Sequence, residues 1–168
     1  MRSIYLIGSL RNANIPGIAA SLRKNGHDVF DDWYAAGPEA DDYWRDYEQA
    51  RGHTLPEALN GYAARHVFDF DLSHLDRCDT SVLVLPAGRS GHLELGYSRG
   101  AGKDCAILME GEPDRYDVMY RFANLGVFFS LDQLTKVLNE TNKITYKVIE
   151  QTSSVPVKYE RPVLNIRH

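Results

Sequence analysis

The run His92-Leu93-Glu94-Leu95-Gly96-Tyr97 opens a helix after a Gly-Arg-Ser-Gly turn and carries the carboxylate best placed for chemistry. A Glu in the first helical turn, beside a strand end, faces a cleft and is favoured in its charged form by the helix dipole. An ionised carboxylate so placed is a candidate nucleophile. The same spacing fits a capping Glu after Ser90, a common structural device, and spacing alone leaves both readings open. Gly96 is expected to let the helix lie close to a neighbouring element. His92 sits two residues before Glu94, about 160° around a regular helix, which suits either a substrate contact or packing.

A second candidate is Tyr5-Leu6-Ile7-Gly8-Ser9-Leu10-Arg11-Asn12. A strand that ends in Gly-Ser and leads through Arg and Asn into a helix can cradle an anion. The donors would be backbone N–H groups, Ser9 and Arg11. It lacks the Lys-Ser/Thr end of a P-loop and is no GxGxxG motif, so a plain turn with an exposed Arg also fits. The third candidate lies in Phe68-Asp69-Phe70-Asp71-Leu72-Ser73-His74-Leu75-Asp76-Arg77-Cys78-Asp79. Asp69, Asp76 and Asp79 read as solvated or capping positions. Asp71 precedes a strand closely enough for its side chain to reach the cleft.

Elements that could position these groups are visible as apolar patterns. Ser3–Ile7, Thr80–Leu85 and Asp104–Met109 read as buried parallel strands, with weaker ones at His27–Phe30 and Gly126–Phe129. Helices are expected over Pro16–Lys24, Leu55–Cys78, Leu93–Ala101 and Leu131–Leu138, the last with Ser130 as N-cap. Alternating strands and helices imply right-handed βαβ units and an α/β fold. The expected architecture is a flavodoxin-like or Rossmann-like three-layer sandwich on a mostly parallel five-stranded sheet. Ligands of such sheets sit beyond the carboxyl ends of the strands, where the strand order switches. The turns Gly8-Ser9-Leu10-Arg11-Asn12 and Pro86-Ala87-Gly88-Arg89-Ser90-Gly91 fall there. Asp31–Asn60 sets Trp33, Tyr34, Tyr43, Trp44 and Tyr47 among acidic residues and reads as a flap of loop and short helix. Trp33 and Trp44 could stack on a base or simply pack. Residues 1–140 form the expected domain and 141–168 an extension, with a possible strand at Ile144–Ile149.

Bulk properties narrow the function classes. The chain of 168 residues suits a single core, and 43% hydrophobic with 25% charged residues is an ordinary globular balance. A net charge of −4 without a Lys/Arg block argues against duplex nucleic acid as partner. No run approaches the roughly 20 apolar residues of a membrane span, and no secretory signal is visible. Cys78 and Cys105 stand far apart without a CxxC partner, so both are expected to be reduced, buried thiols of a cytoplasmic protein. The six histidines show no HExxH or Cys/His ligand spacing, so no metal is expected.

Three motifs together resemble the nucleoside 2-deoxyribosyltransferase superfamily, which includes the 2′-deoxynucleoside 5′-phosphate N-hydrolases. They are the I-Y-L-x-G-S-L-R strand and turn, the Asp-Leu beginning at Asp71 before the D-x-x-V-L-V-L strand, and E-L-G-Y followed by G-K. They cover the first 109 residues in order. The resemblance implies that Glu94 attacks the anomeric carbon, Tyr5 orients that carboxylate, and Asp71 contacts a sugar hydroxyl or helps protonate the leaving base. It implies no cofactor and no metal, a small nucleoside or nucleotide as ligand, and a homodimer or larger homo-oligomer. Arg115, Tyr116, Tyr120 and Asn124 lie where relatives bring in a neighbouring subunit, and the segment Arg115–Phe129 could supply an apolar interface. The transferases carry an Asp six residues before the nucleophile and the phosphate-reading hydrolases a Ser; here the position is Gly88. Arg89 and Ser90 share its turn and, with Ser9 and Arg11, would suit a 5′-phosphate. A catalytically weak nucleotide-binding or sensing module is the alternative. A flavin or phospho-acceptor protein is a third reading, disfavoured because Ile7-Gly8-Ser9 lacks paired acids.

Overall fold

The computed structural model of the chain describes residues 1–140. The expected strand at Ile144–Ile149 and the extension as a whole lie outside the described residues. In chain order the elements are β1 (Ser3–Ile7), α1 (Ile15–Lys24), β2 (Asp28–Phe30), a 3-10 turn (Asp32–Ala36), α2 (Ala40–Ala50), α3 (Leu55–Leu59) and α4 (Tyr62–Arg77). There follow β3 (Thr80–Val84), α5 (Arg89–Gly100), β4 (Asp104–Leu108), a second 3-10 turn (Val118–Phe122), β5 (Gly126–Phe128) and α6 (Leu131–Asn139).

The five strands form one sheet in the order β2-β1-β3-β4-β5, and every pairing is parallel. This is the flavodoxin-like α/β arrangement, with its topological switch between β1 and β3. Strand alternation splits the core in two. Ile4, Leu6, Val82, Val84, Ala106 and Leu108 pack against Ile15, Ala19 and Leu22 of α1 and Leu134 and Leu138 of α6. Tyr5, Ile7, Leu83, Cys105 and Ile107 face the other way, onto Leu75 of α4 and Leu95 of α5. Each such large apolar side chain contributes about 1.5–3 kcal/mol on burial. The strand period thereby places the Tyr5 hydroxyl in the α4/α5 layer rather than the α1/α6 layer.

Three boundaries differ from the sequence reading for physical reasons. The long helix expected over Leu55–Cys78 breaks at Asn60-Gly61. There Asn60 Nδ2 donates to the Pro56 carbonyl at 2.8 Å, and Gly61 turns extended at ψ 161° to start α4. A Cβ on Gly61 would lie 3.0 Å from the Ala58 carbonyl, so the junction is too tight for most side chains. The helix expected from Leu93 begins instead at Arg89, capped at Gly88. In the segment expected as a loop and a short helix, Trp33 Nε1 donates to the Leu6 carbonyl at 2.8 Å, fastening the first 3-10 turn to β1, and α2 is a regular helix of 11 residues. Both cysteines are free and buried. No described helix is long and apolar enough to cross a membrane.

Candidate active site

Glu94, Asp71 and Tyr5 are brought to one place from three elements. On α5, Gly91, Leu95 and Ser98 are buried and Glu94 partly so, a stripe at helical spacing that lies on the sheet. Ser98 is anchored by a 2.8 Å hydrogen bond between its hydroxyl and that of Ser81 on β3, and Ser81 pairs in register with Tyr5. On α4, Asp71 sits one turn before buried Leu75 and points to the same layer. The aromatic residue of β1 therefore lies beneath two carboxylates.

Their mutual influence shows in their acidities. Burial, then the neighbouring charge of Asp71, pushes the Glu94 carboxyl up to about 7. Asp71 is also raised, by burial, while the neighbouring His74 and a hydrogen bond with Tyr5 pull it back. The Tyr5 hydroxyl is held strongly in its neutral form, first by burial and then by Glu94 and Asp71. Two carboxyls competing for one proton around a neutral phenol is the environment of acid–base or nucleophilic chemistry. It corrects the dipole argument made from sequence. Because α5 starts at Arg89, Glu94 stands in its second turn, where the dipole has faded. Desolvation wins there, and the carboxyl is raised rather than held ionised.

An aromatic wall closes the β2 side of the cluster, and sequence reasoning did not find it. Phe30 tilts against Tyr5 at 5.2 Å between ring centroids. His74 stacks on Phe30 at 3.9 Å and 8° between planes, and meets Phe70 edge-on at 4.5 Å. The available signal was the i,i+3 and i,i+4 spacing of Phe70, Asp71 and His74, which puts the ring and the acid on adjoining faces of one helix.

The two turns expected to bind substrate follow β1 and β3, the strands that flank the switch point. Gly91 lets α5 lie close on both strands: a Cβ there would lie 3.1 Å from both Ile7 Cγ2 and Leu83 Cδ1. Gly96, which the sequence suggested for this role, has nothing within 4 Å of where a Cβ would be. In the β1–α1 turn, a Cβ on Gly8 would lie 2.4 Å from Ile15 Cδ1. Ser9 Oγ accepts from the Arg11 N–H at 3.2 Å, Leu10 is partly exposed, and Asn12 is buried with its Nδ2 unpartnered. Arg11 is not free, since its Nη2 lies 2.7 Å from Asp42 Oδ2. At the other turn, Gly88, Arg89 and Ser90 are exposed. His92 is engaged internally, Nδ1 with the Gly88 carbonyl at 2.9 Å and Nε2 with the Tyr120 hydroxyl at 3.3 Å.

Other singled-out residues have structural duties. Asp76 accepts from the Tyr97 hydroxyl at 2.7 Å, and Asp79 accepts from the Ser3 N–H at 3.2 Å and the Thr80 hydroxyl at 2.6 Å. Asn124 bridges the Cys105 N–H and Asp104 at the amino end of β4, far from the carboxyl-end turns. Trp33 packs against both core layers. Among the described residues no group of three or more His, Cys, Asp or Glu is placed to hold a metal ion.

Fold and site together define a flavodoxin-like α/β domain with a carboxylate–tyrosine cluster beside its switch point. Among solved structures it is similar to the 2-deoxyribosyltransferase of the psychrotolerant bacterium Bacillus psychrosaccharolyticus. That match has 18% identity and a TM-score of 0.53, covering 79% of this chain and 90% of that one. It is also similar to the CMP N-glycosidase BcmB of Clostridium botulinum, at 13% identity and a TM-score of 0.50, over 82% of this chain and 98% of that one. Both solved structures fall in the superfamily that the motifs resemble, and the likeness is one of fold. No family model matches the chain, and no curated protein matches it in sequence.

Proposed function

We propose that the protein cleaves the N-glycosidic bond of nucleosides or their 5′-monophosphates, with Glu94 as nucleophile. The observation that carries this reading is the convergence of Glu94, Asp71 and Tyr5 in one partly buried cluster. In its ionised form Glu94 attacks the anomeric carbon, the C–N bond breaks, and the bonding pair leaves with the base. Asp71 holds a sugar hydroxyl or delivers a proton to the departing base, and Tyr5 keeps the Glu94 oxygens aligned. The transition state carries oxocarbenium character, which adjacent carboxylates stabilise. Water or a second base then displaces Glu94 and restores it. The named activities of the two similar structures, a 2-deoxyribosyltransferase and a CMP N-glycosidase, support this class of chemistry.

Catalysis is assigned to residues 1–140, with Gly8–Asn12 and Gly88–Ser90 lining the substrate end. The same reading makes the protein a cytoplasmic homo-oligomer. Its support is the two free buried thiols and the apolar side chains left exposed: Tyr116, Val118, Met119 and Phe122 near the second 3-10 turn, and Tyr62 and Phe68 on α4.

The bare backbone at Gly88, six residues before Glu94, favours one competitor, a module that binds nucleotides without turning them over. Chromatography of purified protein with nucleosides and 5′-monophosphates, with and without acceptor base, separates the two. Free base that disappears in Glu94→Ala establishes the enzyme. Ligand binding without product, indifferent to Glu94→Ala, establishes the module.

A further inference from the structure

The β1–α1 turn carries one cation, and the structure commits it. Arg11 Nη2 lies 2.7 Å from Asp42 Oδ2, reaching from the turn across to α2. The other Asp42 oxygen takes Arg45 Nη1 at 2.9 Å, and Arg45 also pairs with Asp46 at 2.7 Å. A second carboxylate, Glu110 beyond β4, accepts a hydrogen bond from Asn14 Nδ2 at the N-cap of α1. The place where Arg11 and the start of α1 could have held a ligand anion is thus already supplied with two internal anions. An incoming phosphate must compete with Asp42 for Arg11 while facing Glu110. A neutral hydroxyl needs neither.

We propose that Asp42 is a specificity-determining residue: by occupying Arg11 it makes the turn at the end of β1 reject a second anion, so that substrates with a neutral 5′ end are preferred. This rests on the N-glycosidase reading and fixes the charge of its substrate. It also reverses the expectation that Ser9 and Arg11 read a 5′-phosphate. The Asp42 carboxylate acts through Arg11 and touches no reacting atom.

The test compares kcat/KM for a nucleoside and its 5′-monophosphate in wild type, Asp42→Asn and Asp46→Asn. Asp46→Asn removes the same charge from the same helix, but from a carboxylate that does not touch Arg11. Wild type is expected to favour the nucleoside. Asp42→Asn should raise the monophosphate-to-nucleoside ratio by about tenfold or more, the scale of one charge-assisted hydrogen bond, while Asp46→Asn leaves it near wild type. Binding of ribose 5-phosphate, which has no glycosidic base to lose, is measured by thermal shift on the same three proteins. It should tighten about as much in Asp42→Asn alone. If no nucleoside or nucleotide is cleaved, the N-glycosidase reading fails, and the sugar-phosphate measurement still reports on Asp42. A wild type that prefers monophosphates, equal effects of the two Asn variants, or no tightening in Asp42→Asn overturns the proposal.

Discussion

Replacing Glu94 by Gln should stabilise the protein at high pH while removing its activity. Burial and Asp71 raise this carboxyl from 4.5 to about 7. At roughly 1.4 kcal/mol per tenfold change in acidity, the ionised form costs the folded state about 3 kcal/mol. The sign follows from the proton count. Between pH 4.5 and 7 the folded protein holds a proton that the unfolded chain has released, so stability falls as pH rises through that window. Below pH 4.5 both states are protonated and the cost vanishes. A neutral, nearly isosteric Gln never incurs it. At pH 8, Glu94→Gln should therefore gain up to roughly 3 kcal/mol, or about 6–12 °C in Tm for a chain of this size. At pH 4 the two proteins should melt together. Melting curves by circular dichroism at both pH values provide the check. An equal difference at pH 4 and pH 8, or a less stable variant at pH 8, would refute the burial argument for Glu94.

The remaining predictions concern the same cluster and its scaffold. Asp71→Asn removes one of the two causes that raise Glu94, so the acid limb of the kcat/KM profile, expected near pH 7, should move to lower pH. Because burial persists, the limb should stay above 4.5; a limb that stands still or moves up would separate Asp71 from Glu94. Gly91→Ala should cost about 1–3 kcal/mol by overpacking against Ile7 and Leu83. Gly96→Ala, with open space around it, should gain about 0.5–1 kcal/mol from helix propensity. Urea midpoints for both glycine variants test the pair, and a tolerated Gly91→Ala would show that α5 does not depend on that contact.

The parts legible in the sequence were those set by short-range periodicity. The runs at Ser3–Ile7, Thr80–Val84 and Asp104–Leu108 are apolar because both faces of the sheet are covered, and their alternation with helices specifies parallel pairing. Glu94 and Asp71 stand at offsets from such runs that left capping and solvated readings open, and the roles expected of them and of Tyr5 came from the motif resemblance. What could not be read depends on distance through space. The start of α5 at Arg89 goes with packing of Gly91 against Leu83 and Ile7, and Ile7 belongs to a strand far away in sequence. For the same reason Gly96 was mistaken for the contact glycine. The pairing of Arg11 with Asp42 spans 31 residues, and a lone Arg after Gly-Ser offers no hint that a helix beyond the next strand will claim it. His74 and Phe30 stack only because β2 is an edge strand ending beside α4.

The raised acidity constant of Glu94 bears on how a catalytic cluster of this kind would work. A site that disfavours the charged carboxylate by about 3 kcal/mol is a poor home for a nucleophile in the ground state. Under N-glycosidic cleavage, positive charge develops at the anomeric carbon as the base departs, directly beside Glu94 and Asp71. The repulsion between two carboxylates is then exchanged for attraction to that charge, and the desolvation that raised Glu94 strengthens the attraction. The interaction is greatest in the transition state and small before it, which is the condition for lowering a barrier rather than tightening binding. Tyr5 fits this account because its phenol, held neutral by burial and then by the same two charges, can donate a hydrogen bond to a carboxylate without adding a charge of its own. The burial and the closeness of Asp71 that make Glu94 costly to ionise are thus what would make the pair effective once the glycosidic bond begins to break.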